Sequence, residues 1–291
     1  MGGLVRIRRG TRAGLLAAAC LGLSSCAWMH AEHNWTLPPS PTSTPAVQAG
    51  PGPDQPAAVP KLPLPHAGPV AMGPATGPAM APATGPAMGP ARRMNDVPGN
   101  GVVPGDKVVA LTFDDGPDPA YTPRVLDALG HFQVTATFFM IGWEAAADPN
   151  LVQRIDAAGN GVASHTWNHV DLTRQNSAGL GVQVDRTDNV LASITGRKVS
   201  CIRPPQGHYN APLLSRLAAR GLTTVLWSVD TRDWTRPGTG RIVQSALTGL
   251  SPGAIILLHD GGGDRSETVQ ALPSIIEGIR TAGYRLAPIC R

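Results

Sequence analysis

Eighteen of the 29 prolines in this chain lie at or before Pro104. Proline fixes a backbone angle and removes a hydrogen-bond donor, so a stretch dense in it builds neither helix nor central strand. Between residues 27 and 100 the chain is mostly Pro, Ala, Gly and Thr, with almost no aliphatic periodicity. An eight-residue unit recurs there as Met72–Ala79, Met80–Ala87 and a truncated Met88–Ala91. A proline-bearing period this short does not stack into a core and reads as an extended, disordered linker. Its reach is on the order of 200 Å as polyproline II and roughly 50 Å as a coil. Any packed domain must therefore come from the remainder, and the expected division is 1–26, 27–104 and 105–291.

The first 26 residues read as an export signal. Arg6, Arg8, Arg9 and Arg12 precede an apolar run, Ala13–Leu23, too short to span a bilayer as a helix. The run ends Leu23-Ser24-Ser25-Cys26, which resembles the lipobox of bacterial lipoproteins and implies a lipid on Cys26. The expected location is outside the cell membrane, anchored to it and facing the cell wall or periplasm. An exported chain then keeps Cys201 and Cys290, which are expected to form a disulfide. The four N-terminal arginines account for the whole net charge of +4, and from Gly101 onward 17 basic residues balance 17 acidic ones. A nucleic-acid binder carries its positive charge on the folded domain, so that class is not expected.

From Asp106 short β-type runs alternate with helical spacing. Strands are expected at 107–113, 134–141, 161–164, 201–203, 223–229, 254–259 and 284–287. Helices are expected at 123–132, 150–158, 179–195, 211–220, 240–249 and 267–282. About seven strands alternating with helices imply an α/β fold, a distorted parallel (β/α) barrel. Polar clusters follow several strands, on the face where such barrels place their active sites.

Five clusters carry chemistry. Asp114 and Asp115 precede Gly116-Pro117. Adjacent carboxylates at a strand end suit a bound cation, although Asp-Gly-Pro is also turn chemistry. His165 and His169 are four residues apart, which on a helical turn places both on one face for a metal; a hydrogen-bonding pair is the plainer reading. Thr166 stands where the familiar metalloprotease helix has its glutamate, so that base is absent. Arg203-Pro204-Pro205-Gln206-Gly207 offers a rigid loop with free N–H groups, or merely a proline turn. Asp230-Thr231-Arg232-Asp233-Trp234 and Leu257-Leu258-His259-Asp260 complete the set. A histidine at the end of an apolar strand is either a core residue or, with an acid beside it, a general acid.

In order, type and spacing the five clusters resemble the polysaccharide deacetylase domain of carbohydrate esterase family 4, over roughly 105–290. The resemblance implies that Asp114 is the catalytic base, oriented by Arg203. It implies that Asp115, His165 and His169 hold one divalent metal ion, zinc by default, with cobalt, nickel or manganese compatible with the same donors. It implies that Asp233 pairs with the general acid His259, and that Trp234 and Leu257 line an acetyl-methyl pocket. It implies too that Pro205 and Gln206 contact substrate, the Gln206 N–H holding the oxyanion. The family usually has Tyr at the position of Gln206, so substrate preference is open. The implied activity is removal of N-acetyl groups from a cell-wall polysaccharide, peptidoglycan above all, by a monomer. An O-acetyl esterase acting on xylan, or a non-catalytic wall-binding lipoprotein, are the alternatives.

Overall fold

The computed structural model describes residues 89–291. The signal segment, Cys26 and the repeats up to 88 lie outside the described residues. Eight parallel strands form one curled sheet: β1 (Val108–Asp114), β2 (Thr137–Met140), β3 (Gly161–Ser164), β4 (Cys201–Ile202), β5 (Thr223–Thr224), β6 (Val229–Asp230), β7 (Ile255–His259) and β8 (Arg285–Leu286). Seven run in the order β5-β4-β3-β2-β1-β7-β6, and β8 pairs with the first residues of β1. The expected α/β fold, a distorted parallel (β/α) barrel, is observed, curled into a half-barrel. Helices α1 (Thr122–His131), α2 (Gly142–Ala147), α3 (Pro149–Ala157), α4 (Ser177–Leu180), α5 (Arg186–Thr195), α6 (Ala211–Ala218), α7 (Thr239–Thr248) and α8 (Ser266–Thr281) alternate with the strands.

The alternation of strand side chains decides what reaches the barrel interior. Along β1, Val109, Leu111 and Phe113 pack against the helices, whereas Val108 and Ala110 pack inside with Phe139, Ala163, Cys201 and Ile255. The same period carries Asp114, His165, Arg203, Leu257 and His259 onto the inward face at the upper strand ends. With both faces covered, β1 is buried at every position, which explains its unbroken apolar run.

Two expectations change. The single strand expected at 223–229 is two short strands, β5 and β6, on opposite edges of the sheet, joined by a crossing at residues 225–228. The packed unit also begins before the expected boundary at 105. Ala91 accepts from the Leu226 N–H and donates to the Thr224 carbonyl, and the Met94 N–H donates to the Gly253 carbonyl. Met94 is fully buried, with Ala91 and Val97 beside it in the interior cluster. The residues just after the repeats thus form a strap that fills the interior near the open edge. The long helix expected at 179–195 is helical throughout but contains a π turn at Gly181–Asp185 between α4 and α5. Cys201 and Cys290 are disulfide-bonded across a sequence separation of 89 residues, tying the chain end to β4. Restricting the unfolded chain with a loop of that size stabilises a fold by roughly 4–5 kcal/mol in the chain-entropy model.

Candidate active site

A cavity of about 610 Å³ opens at the upper strand ends, lined by Asp114, Asp115, His165, His169, Gln206, Trp227, Asp230, Trp234, Leu257, His259, Gly262 and Arg265. Three groups of side chains give it chemistry.

The first is built on Arg203, which is completely buried. Its Nη1 donates to Asp114 Oδ1 at 2.6 Å and to Thr112 Oγ1 at 3.0 Å. Its Nε and Nη2 donate to the Val225 and Leu226 carbonyls. The guanidinium lies 4.0 Å from the centre of the Phe139 ring. Burial pulls the Arg203 pKa down, against the opposing pull of Asp114. Asp114 is 3% exposed, and its other oxygen, Oδ2, lies 3.8 Å from His165 Nε2.

The second is Asp115 with His165 and His169. Both Nε2 atoms lie 3.4 Å from Asp115 Oδ1. The three donor atoms fall within 4.8 Å of one another, and Asp115 Oδ1 is buried with no hydrogen-bond partner. His165 Nδ1 sits 2.6 Å from the Arg203 carbonyl, which can only accept, so the neutral ring carries its proton there and turns a lone pair toward Asp115. Two imidazole nitrogens and a carboxylate oxygen left without a proton between them fit a divalent metal ion. Burial raises the Asp115 carboxyl, but the facing His165, helped by His259 and His169, outweighs it and brings the pKa to about 2. Burial lowers the His165 pKa, yet the Asp114 charge and Asp115 turn the net shift upward. His169 shifts downward through burial and the neighbouring His165.

The histidines do not share a helical face. Residues 165–169 form a loop, with Thr166 at φ 71° and His169 at φ 60°. Asp115 at φ 74° and Gln206 at φ 59° are left-handed too. Such backbone persists in non-glycine residues only where the surroundings hold it. Around Asp115 the surroundings are glycines. A Cβ on Gly261 would lie 2.2 Å from the Asp115 carbonyl oxygen, and one on Gly116 2.4 Å from Asp260 Oδ2.

The third group is His259 with Asp233. Asp233 Oδ1 is 2.7 Å from His259 Nδ1, and Oδ2 accepts from the His259 backbone and from Thr268 Oγ1, both at 2.8 Å. Burial lowers the His259 pKa, but the Asp233 hydrogen bond and charge, with Asp114 and Asp115, raise it overall.

The fold therefore brings together Asp114, Asp115, His165, His169, Arg203, Gln206, Asp233, Trp234, Leu257 and His259. Pro205 does not line the cavity; it is buried in the turn below Gln206. Asp230, the first residue of the fourth cluster, lines it as well, and Trp227, Gly262 and Arg265 line it without having been singled out in the sequence. Trp227 fell inside an expected strand, and Arg265 reads as a helix-start residue. Asp260 of the fifth cluster does not line the cavity: burial pushes its carboxyl up to about 7, and it accepts from Thr122 Oγ1.

A curled parallel half-barrel with this constellation at its strand ends defines a hydrolytic deacetylase. Residues 101–225 match the family model described as polysaccharide deacetylase. The chain is similar to a chitooligosaccharide deacetylase from Bradyrhizobium, 42% identical over 201 residues, covering 65% of this chain and 92% of the relative. It is 40% identical over 197 residues to a peptidoglycan-N-acetylglucosamine deacetylase from Bacillus cereus, covering 67% of this chain and 89% of that one. A family 4 carbohydrate esterase from Streptomyces lividans, solved in complex with acetate, superposes with a TM-score of 0.58 at 37% identity over 62% of this chain and 91% of that one. The chain belongs to the polysaccharide deacetylase family.

Removing one partner of the buried Arg203–Asp114 pair leaves an uncompensated charge, so Arg203→Met is expected to lose about 3–5 kcal/mol. Adding Asp114→Asn should recover part of the loss. Urea unfolding of both variants and the wild type measures the coupling.

Proposed function

We propose that this chain removes N-acetyl groups from a cell-wall polysaccharide, with the N-acetylglucosamine of peptidoglycan as substrate, and releases acetate. The observation that carries the reading is the division of labour between adjacent aspartates. Asp114 is held by an arginine and Asp115 by two histidines, while His259 and its own aspartate stand across the same cavity. A divalent ion held by Asp115, His165 and His169, zinc by donor chemistry, would polarise the acetamide carbonyl and acidify water. Arg203 occupies Asp114 Oδ1 and leaves Oδ2 to accept the proton of the attacking water. The Gln206 backbone N–H donates to the developing oxyanion, a contact whose loss typically costs about 3–4 kcal/mol. Asp233 fixes His259 with its proton on Nδ1, so that Nε2 faces the leaving amine and protonates it. Trp234 and Leu257 give the acetyl methyl an apolar wall.

The test is acetate release by the full chain on N-acetylated peptidoglycan, chitooligosaccharide and acetylated xylan. Release from the N-acetylated polymers, lost with a chelator and restored by zinc or cobalt, is expected. Asp114→Asn should abolish it while zinc still binds. Release from xylan alone would move the assignment to ester hydrolysis, and no release from any polymer, with zinc bound, to wall binding.

The His259 shift fixes a pH dependence. A general acid whose pKa is raised stays protonated to higher pH and fails as pH rises through that pKa. Asp233→Asn removes the charge and weakens the hydrogen bond, so the alkaline limb of kcat/KM should move to lower pH. A limb that stays in place would assign it to another group.

We also propose that the chain is exported and held at the membrane by a lipid on Cys26, with the proline-rich segment as tether. The reading is supported by the basic stretch, the short apolar run and the Leu-Ser-Ser-Cys sequence. Cys26→Ser should release the protein from the membrane fraction, and an unchanged distribution would refute the anchor.

A further inference from the structure

The loop that carries His165 and His169 holds two left-handed residues that are not glycine, one of them the β-branched Thr166. Something outside the loop must keep it in place. Part of the grip is backbone: the Gly142 and Trp143 N–H groups, at the start of α2, donate to the Thr166 and Trp167 carbonyls at 2.8 and 3.1 Å. A further part comes from one distant helix. Gln183 Oε1 accepts the Asn168 N–H at 3.3 Å. The Arg186 guanidinium lies 3.5 Å from the centre of the Trp167 ring. Thr187 closes the packing against Gly142, where an added Cβ would lie 2.4 Å from Thr187 Oγ1 and 2.7 Å from Trp167 Cε3.

Gln183 is 7% exposed, and an amide is costly to bury unless its polar atoms are used. It sits within the π turn at Gly181–Asp185. Such wide turns are uncommon inside helices and concentrate at functional sites. The bulge and the buried amide therefore coincide at the one place where the helix meets the backbone between the two histidines. Neither Gln183 nor Arg186 lines the cavity.

The geometry points to Gln183, seconded by Arg186, as a positioning residue that sets the metal affinity of the site through the His165–His169 loop. This rests on the metal-site reading above. The supporting contacts of a metal ligand tune affinity by roughly 10–100-fold, and the loop is such a support.

Zinc affinity of the full chain, measured by chelator competition, and the visible absorption of the cobalt-loaded protein test this. Gln183→Leu keeps the side chain's bulk but removes the acceptor, and should bind zinc on the order of 10-fold more weakly, with a changed cobalt spectrum. Gln183→Glu retains an acceptor at the same reach and should restore most of the affinity. Arg186 is exposed, so Arg186→Gln leaves the core intact and gives a readout even if the Leu variant fails to fold; a several-fold loss is expected. Affinities and spectra matching wild type in both Gln183→Leu and Arg186→Gln would overturn the inference and leave the metal site standing. A Glu variant as impaired as the Leu variant would overturn it too, reducing Gln183 to packing. A wild-type chain that binds neither zinc nor cobalt would remove the metal reading itself.

Discussion

The site depends on a guanidinium with no access to water. Arg203 is a cation buried at the barrel centre, and such a charge is tolerated only with a counter-ion and filled hydrogen bonds. Asp114 supplies the charge, and Thr112 lies on the same inward face of β1. The other acceptors come from the break in the sheet. Where β5 ends and the chain crosses to β6, the Val225 and Leu226 carbonyls accept from Arg203. The crossing that interrupts the strand is thus what solvates the arginine. The N–H groups of the same two residues donate to Ile202 and to Ala91 of the strap. The strap, the crossing and the Arg203–Asp114 pair are one hydrogen-bonded unit.

From that centre the polar groups separate by partner. Asp114 and Asp115 are chemically identical neighbours, yet one is committed to an arginine and the other to two imidazoles. His165 joins the halves, since its Nδ1 donates to the backbone of the same Arg203 that orients Asp114. His259 and Asp233 form a separate pair on β7 and after β6, buttressed by Thr268 of α8. The Arg203–Asp114 and Asp233–His259 pairs are therefore oriented by different parts of the fold.

Much of this was legible because strand periodicity survives in the sequence. Gly161–Ser164 could be placed as written, and the five polar clusters stood at strand ends. The parts that were not legible share a cause: they are set by tertiary contact. The run 223–229 has the β-branched content of one strand, and nothing local says that it breaks at Val225. The His165–His169 spacing suggested a helical turn, but two left-handed residues bring the rings together instead. The strap hid in proline-rich composition, because Ala91, Met94 and Val97 are too few to show a period. Gln183 looked like any polar residue of a helix, since a π turn shifts the facing of side chains without changing composition.

The adjacency of the two aspartates shows how geometry and sequence interlock. In a continuing strand Asp115 would point away from Asp114, toward the helix layer that Phe113 joins. Its left-handed backbone cancels that alternation and turns a second carboxylate into the cavity. The turn needs room. Gly261 lies where any Cβ would strike the Asp115 carbonyl, and a Cβ on Gly262 would lie 2.7 Å from Asp115 Oδ2. Those glycines follow His259 and Asp260 in the loop after β7, the strand paired with β1 up to Asp114. The fifth cluster thus places His259 at the cavity and, two and three residues on, leaves the space in which the first cluster takes its shape. The two adjacent aspartates at the end of β1 both face one cavity because the neighbouring strand ends in residues small enough to admit the turn.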